Sequence, residues 1–252
     1  MSLPDYPPAR GLLAGKNVLV TAAAGTGIGF ATAKRCVEEG ARVAITDIHA
    51  RRLAESASEL GAHAVLANVT SQDDVDACFA DVIGTYGHID VLVNNAGLGG
   101  TARLADMTDE QWSSVLDVTL TGTMRMTRAA LRHMGERGTG AIVNNASVVG
   151  WRAQEGQSHY AAAKAGVMAL TRCAAIEAAD SGVRVNAVAP SLAMHPHLAK
   201  VTTEELLAEL TTREAFGRAA EPWEVANVIV FLASDLSSYL TGEVISVSSQ
   251  HP

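Results

Sequence analysis

Short runs of β-branched and other apolar residues alternate along the chain with longer, alanine-rich stretches whose apolar positions recur at helical spacing. The short runs are NVLVT (17–21), RVAIT (42–46), AVLAN (64–68), DVLVNN (90–95), AIVNNAS (141–147), RVNAVAP (184–190) and VISVS (244–248). They are nearly continuous in apolar character, which is the pattern of strands buried on both faces of a parallel sheet. The stretches between them, 29–39, 51–60, 71–86, 109–136, 160–180, 203–213 and 222–233, are long enough for crossover helices. The alternation predicts an α/β fold: a doubly wound, seven-stranded parallel sheet with helices on both faces. No linker, charge block or repeat divides residues 15–252, which read as a single domain after an irregular, proline-containing arm at 1–14.

Composition narrows the classes of function. Of 252 residues, 48% are hydrophobic and 18% charged, enough apolar surface to build a substantial core. Nineteen basic against 27 acidic residues give a net charge of −8, which argues against nucleic acid or an anionic membrane as partner. Cys36, Cys78 and Cys173 stand far apart with no CxxC or Cys/His spacing, so neither a disulfide framework nor a metal site is indicated. The N-terminus lacks the apolar core of a signal peptide, and no apolar run approaches the ~20 residues of a membrane span. A soluble, cytoplasmic protein with a small-molecule substrate is expected.

The first strand runs into TAAAGTGIGFATAK, a small-residue turn followed by a helix. Gly25, Thr26, Gly27, Ile28 and Gly29 are the candidate phosphate loop. Backbone approaches a ligand closely where side chains are absent, and a helix N-terminus offers free N–H donors to a pyrophosphate. Asp47 ends the second strand, 20 residues past Gly27, where a carboxylate accepts from both hydroxyls of an adenosine ribose and repels a 2′-phosphate. With Ile48 next to it and no basic residue in the loop, this Rossmann-type arrangement favours NAD over NADP. Arg51 and Arg52 read as a solvated first helical turn.

Ser147, Tyr160 and Lys164 are the candidate catalytic group. Tyr160 and Lys164 lie four apart at the start of a helix and share one face. An ammonium beside a phenol, reinforced by an oxidised nicotinamide, is expected to favour the phenolate and make Tyr160 a proton acceptor near neutrality. Ser147, ending the fifth strand, can hydrogen-bond the substrate oxygen.

With the glycine loop first, Asn94-Asn95-Ala96-Gly97 after the fourth strand, a serine 13 residues before Tyr-x-x-x-Lys, and Pro190 after the sixth strand, residues 15–252 resemble a short-chain dehydrogenase/reductase. The resemblance implies that Tyr160 exchanges the hydroxyl proton, Lys164 holds the nicotinamide ribose and Ser147 positions the reacting oxygen. It also implies that Asp47 and Ile48 face the adenosine ribose, Asn68 and Val69 the adenine, Asn95, Ala96 and Gly97 the cofactor's centre, and Pro190 the nicotinamide. Three departures stand out. Ala22 occupies the usual first glycine of the loop; Thr119 stands where the family carries a helix-interior asparagine of a proton relay; and His195 replaces the carboxamide-binding threonine.

Specificity is expected in the loops 98–107, 148–159 and 191–216, at the C-terminal ends of the strands. Trp151, Arg152, His159 and His197 are candidate substrate contacts, with Arg152, His195, His197 and Lys200 for an acyl-CoA portion. The loop TAAAGTGIG, NNASVVGWRAQ, SHYAAAKAGVMALTRCAAIEAA, EAFGRAAEPWEV and the SQHP terminus resemble one actinobacterial subgroup of the family. That resemblance implies oxidation of a ring hydroxyl on a bicyclic hydroxy-oxo-indene carboxyl-CoA in steroid degradation. A 3-oxoacyl-thioester reductase of fatty-acid type shares the scaffold but should prefer NADPH, against Asp47. A non-catalytic NAD-binding sensor is the reading prompted by Thr119 and the altered loop, against the intact Ser147, Tyr160 and Lys164. Family members commonly pair through the helices at 109–136 and 160–180, so a homotetramer or dimer is expected.

Overall fold

The computed structural model describes residues 3–194 and 204–249. Among them, β1 (Asn17–Thr21), β2 (Arg42–Asp47), β3 (His63–Leu66), β4 (Val91–Asn94), β5 (Gly140–Asn145), β6 (Val183–Pro190) and β7 (Val244–Val247) form one sheet. Its order is β3-β2-β1-β4-β5-β6-β7 and every pairing is parallel. The helices are α1 (Ile28–Glu38), α2 (Ala50–Leu60), α3 (Gln72–Tyr86), α4 (Asp109–Leu116), α5 (Gly122–Arg137), α6 (Ser158–Ala178), α7 (Glu204–Thr212) and α8 (Pro222–Ala233).

Alternate residues of the central strands face two separate cores. Val18, Val20, Val43, Ile45, Val91 and Val93 pack with α1, α2 and α8 on one face. Leu19, Ala44, Leu92 and Ile142 pack with α3, α5 and α6 on the other. Burial on both faces explains the unbroken apolar runs, each large side chain contributing roughly 1.5–3 kcal/mol. Strand order reverses between β1 and β4, which opens a crevice at their C-terminal ends, the place where open α/β sheets bind ligands.

The differences from the sequence reading are local. β5 ends at Asn145, so Ser147 lies beyond the strand in a turn, and β3 stops at Leu66. The single helix expected at 109–136 divides into α4 and α5 around a π-helical turn, Asp117–Thr121. That turn contains Thr119, and its wider hydrogen-bonded ring is invisible to a hydrophobic pattern. The N-terminal arm is docked: Arg10 and Leu12 donate their N–H groups to Glu39, and Arg35 donates to the carbonyls of Pro7 and Pro8. Leu13 is already part of the core. No helix among the described residues is long and apolar enough to cross a membrane.

Candidate active site

The loop between β1 and α1 is shaped from its backbone. Ala22 is the one described non-glycine residue with positive φ, +49°. It occupies the left-handed region where a methyl costs about 1 kcal/mol, and the loop accepts that strain at the position the family gives to glycine. Ala22→Gly is therefore expected to stabilise the protein by about 1 kcal/mol, raising Tm by roughly 2–4 °C in a thermal melt.

Gly27 is the N-cap of α1, with no side chain capping the helix and no acidic residue in its first turn. By contrast, Ser71 caps α3 and a Thr108–Gln111 capping box closes α4. A Cβ built at Gly25 or Gly27 meets nothing within 4 Å, so these residues border open space. An uncapped helix end facing open backbone suits a pyrophosphate, and the residues present fit a dinucleotide. Gly29 has a different role. Its Cβ would lie 2.4 Å from both the Ala22 carbonyl oxygen and Asn95 Nδ2, so its bare backbone lets α1 close against the loop.

Asp47, buried at the end of β2, accepts from the Ala24 N–H at 3.3 Å and from the His49 N–H at 3.0 Å. Burial raises its carboxyl pKa, while the Ala24 N–H and the Arg52 charge oppose the rise. Ile48 and Thr26 are exposed beside it. Sequence reasoning missed Ser56 on α2, whose hydroxyl accepts from the Gly25 N–H at 3.1 Å and ties the loop down. Asn68 is exposed and bonded within its own turn, its side chain accepting from Thr70 N–H. Val69 is buried, with a methyl 2.7 Å from where a Cβ on Gly122 would stand. Its side chain therefore packs against α5.

Asn95 serves as a strut. Its amide donates to the carbonyls of Thr21 and Ala22 and accepts from Asn145 Nδ2 at 2.9 Å. The Thr21 hydroxyl accepts from the N–H groups of Asn95 and Ala96. A second, fully buried chain runs from Asn94 to Asn144 to Thr171 on α6, each link close to 2.9 Å. Because α6 carries both Tyr160 and Lys164, this chain fixes the catalytic helix to the sheet. Asn144 and Thr171 carried no sequence signal beyond their polarity in apolar segments.

Ser147, Tyr160 and Lys164 converge. Ser147 caps a short turn, Val148–Gly150, and hydrogen-bonds with Tyr160. That turn packs against α6 because Gly150 has no side chain: a Cβ there would lie 3.0 Å from the Ala165 nitrogen. Lys164 Nζ donates to the Asn145 carbonyl at 2.5 Å and lies 5.5 Å from the Tyr160 ring centroid. Exposed Gly97 lies next to this ammonium, since a Cβ built there would be 3.5 Å from Nζ.

Burial dominates the electrostatics of this group. Burial pushes the Tyr160 phenol up to about 12, and the hydrogen bond with Ser147 only partly opposes it. Burial also lowers Lys164 to about 8. Desolvation is the largest influence on the phenol, so the ionised form expected at Tyr160 rests on the added positive charge of an oxidised nicotinamide. The lysine itself stores instability: below pH 8 it is held protonated in a buried place, a penalty on the order of 3 kcal/mol that fades as pH rises towards 10.5. Lys164→Met is expected to raise unfolding stability at pH 7 by about that amount, with the gain shrinking between pH 8 and 10.5 in urea titrations.

Thr119 is bonded to the loop after Gly97. Its fully buried hydroxyl accepts from the Leu98 N–H at 3.0 Å and donates to the Leu98 carbonyl at 3.2 Å, which commits its proton to the loop after Gly97. His159 is 2% exposed and its ring lies against Gly100, in the wall of the cleft. Trp151 is exposed at the cleft, with Arg152 partly buried beside it. The loops 98–107 and 148–159 are joined by an Ala102 N–H to Gly156 carbonyl bond at 2.9 Å and an exposed Arg103–Glu155 ion pair. Pro190 is buried at the end of β6; His195, His197 and Lys200 lie outside the described residues.

A parallel sheet with a glycine cradle at its crevice and a Ser–Tyr–Lys group on the adjoining elements defines a nicotinamide-dependent oxidoreductase of the short-chain dehydrogenase/reductase type. The chain belongs to this family: the family model described as enoyl-(acyl carrier protein) reductase matches residues 22–249. Over 250 residues the chain is 64% identical to the (5R,7aS)-5-hydroxy-7a-methyl-1-oxo-2,3,5,6,7,7a-hexahydro-1H-indene-carboxyl-CoA reductase of Mycobacterium tuberculosis, covering 96% of this chain and 95% of that protein. It is 41% identical over 240 residues to the 3-oxoacyl-(acyl-carrier-protein) reductase of Thermotoga maritima, covering 93% and 97%. A solved short chain dehydrogenase from Mycobacterium smegmatis superposes with a TM-score of 0.89 at 56% identity, covering 100% of this chain and 99% of that one. The protein is thus an oxidoreductase that interconverts an alcohol and a ketone with NAD(P).

Proposed function

We propose that this enzyme is an NAD-linked dehydrogenase acting on the ring hydroxyl of a bicyclic hydroxy-oxo-indene carboxyl-CoA. The observation that carries the substrate assignment is the 64% identity, across nearly the whole chain, to a mycobacterial enzyme whose name gives that thioester. That name is written in the reductive direction, and the same site serves both directions. The cleft supports a bulky apolar ring: Leu98, Leu104, Trp112, Trp151 and Phe216 are exposed large hydrophobic residues on or beside the three loops at the strand ends.

Asp47 supports NAD, because a buried carboxylate at the ribose position repels a 2′-phosphate. The Gly25–Gly27 backbone and the α1 N-terminus would hold the pyrophosphate, and Lys164 the nicotinamide ribose. When bound, the nicotinamide supplies hydride exchange and, oxidised, a positive charge near the phenol. Tyr160 moves the proton at the substrate oxygen, Ser147 orients that oxygen, and Lys164 holds its own charge against the Asn145 carbonyl.

The assignment is tested by initial rates at 340 nm with NAD or NADP, offering the bicyclic thioester beside straight-chain 3-hydroxyacyl and 3-oxoacyl thioesters. Turnover of the bicyclic thioester with NAD supports it. Turnover confined to NADPH and straight-chain 3-oxoacyl thioesters replaces it with fatty-acid-type reduction.

The working compartment in this reading is the cytoplasm, supported by three unpaired cysteines. The enzyme assembles as a homotetramer through α5 and α6. Between these helices lies a groove of about 470 Å³ whose lining includes Met124, Leu131, Leu170, Cys173 and Ala174. Sedimentation at micromolar concentration is expected to give a species near four times the 26.2 kDa chain, and a monomer would contradict the assembly.

A further inference from the structure

Glu214 is 4% exposed, in the segment that follows α7, with no role in the chemistry described above. A carboxylate removed from water is costly unless donors surround it. Among the described residues, donors reach it from two distant parts of the chain. The Leu192 N–H donates to Oε1 at 3.4 Å, and the Ser249 hydroxyl donates to Oε2 at 2.7 Å. The backbone repeats the connection: Ala215 N–H donates to the Ser249 carbonyl at 3.1 Å, and Ser191 N–H to the Val247 carbonyl at 3.2 Å. On the other side, Ala193 bridges Ala220, with Met194 N–H bonded to the Ala220 carbonyl and Ala220 N–H to the Leu192 carbonyl. Three segments, 191–194, 214–220 and 247–249, therefore meet around one buried carboxylate.

The placement gives this junction a consequence for substrate. Residues 191–194 continue directly from β6, which pairs with β5 up to Asn145–Val188; one residue further, Ala146 N–H donates to the Val188 carbonyl at 2.8 Å. Ser147 follows immediately. The start of the 191–216 specificity loop thus springs from backbone beside the serine that orients the substrate oxygen. The glycine cradle lies at β1, on the far side of β4 and β5.

We propose that Glu214 is a positioning residue for substrate: it anchors the first turn of the specificity loop to the C-terminal segment through Leu192 and Ser249, making Ser249 part of the architecture of the substrate site. A carboxylate is suited to this because it accepts from two donors on opposite sides at once and offers no proton of its own. Loss of the anchor loosens the wall beside Ser147 and leaves the cradle untouched. The substrate part of this inference rests on the dehydrogenase reading above; the anchor does not.

The test uses the full-length enzyme with Glu214→Ala, Glu214→Gln and Ser249→Ala. Glu214→Ala is expected to raise KM for the bicyclic CoA thioester about tenfold, with kcat changed less than about threefold and the affinity for ADP, read by calorimetry, within about twofold. Glu214→Gln restores KM to within about twofold, since its amide accepts from Leu192 and donates to the Ser249 oxygen. Ser249→Ala gives an intermediate rise of about threefold, and carries the test if Glu214→Ala does not fold. Hydrogen exchange of the Leu192 amide without substrate is expected to quicken about tenfold in Glu214→Ala and measurably in Ser249→Ala. Unchanged exchange in Ser249→Ala would overturn the anchor. An unchanged KM in Glu214→Ala, an equal loss of ADP affinity, or a Gln variant as impaired as Ala would overturn the positioning role. If the wild-type enzyme ignores the bicyclic thioester, the substrate reading fails separately and the exchange result still decides the anchor.

Discussion

Tyr160→Phe is expected to lower kcat for alcohol oxidation about 10³-fold while leaving dinucleotide affinity, measured by calorimetry, within about threefold of wild type. In the proposed mechanism the phenol takes the hydroxyl proton, and its hydrogen bond with Ser147 puts it beside the residue assigned to orient the same oxygen. Phenylalanine keeps the ring and loses only the acid–base function, so the change falls on kcat and not on binding. The pH profile separates this from a packing effect. Burial holds the phenol near 12 and Lys164 near 8, so the ionised phenol is scarce at neutral pH. Wild-type oxidation at saturating thioester should therefore rise as pH increases from 6 to 9, whereas residual turnover in Tyr160→Phe should be nearly flat. A variant retaining more than about a tenth of wild-type kcat would remove Tyr160 as the acid–base group, and a wild-type protein that binds NAD but turns over none of the thioesters would revive the non-catalytic sensor.

Asp47→Ser is expected to shift the NADP-to-NAD ratio of kcat/KM about 100-fold towards NADP. Two like charges about 4 Å apart interact by about 4 kcal/mol at an effective dielectric of 20; retaining even part of that repulsion gives two orders of magnitude. Arg52 strengthens the shift. Its charge already acts on Asp47, and with the carboxylate gone it becomes available to a 2′-phosphate. Serine can still hydrogen-bond the ribose, so NAD should weaken less than NADP improves. Paired initial rates with both cofactors measure the ratio, and a ratio unchanged within threefold would remove Asp47 as the discriminator.

The features legible in the sequence are those that local chemistry dictates. Strands buried on both faces must be apolar throughout, so all seven could be read to within a few residues, whereas the strand order emerges only in the fold. Asp47, Ser147, Tyr160 and Lys164 could be read because their spacing is tied to strand ends and a helical turn. What escaped depends on packing between distant segments. The period of apolar residues passes through Asp117–Thr121 unchanged, so the π-turn and the commitment of Thr119 to Leu98 were hidden. Ala22 was visible as a departure from the family glycine, but its positive φ was not. The burial of Tyr160 was hidden because charge proximity can be counted along a helix, whereas desolvation is set by everything that covers it. Glu214 carries no local signal, because its partners Leu192 and Ser249 are distant in the chain and meet it only in the fold.

The central claim is that hydride leaves a ring carbinol carbon for NAD while Tyr160 takes the hydroxyl proton. Its most direct test is a single-turnover reaction of wild-type enzyme with NAD and the bicyclic CoA thioester deuterated at that carbon, analysed by mass spectrometry. The account predicts one deuterium in the NADH formed and a ketone at the labelled ring position. Unlabelled NADH, or no reduced cofactor while a straight-chain 3-hydroxyacyl thioester labelled at C3 transfers its deuterium, would contradict it.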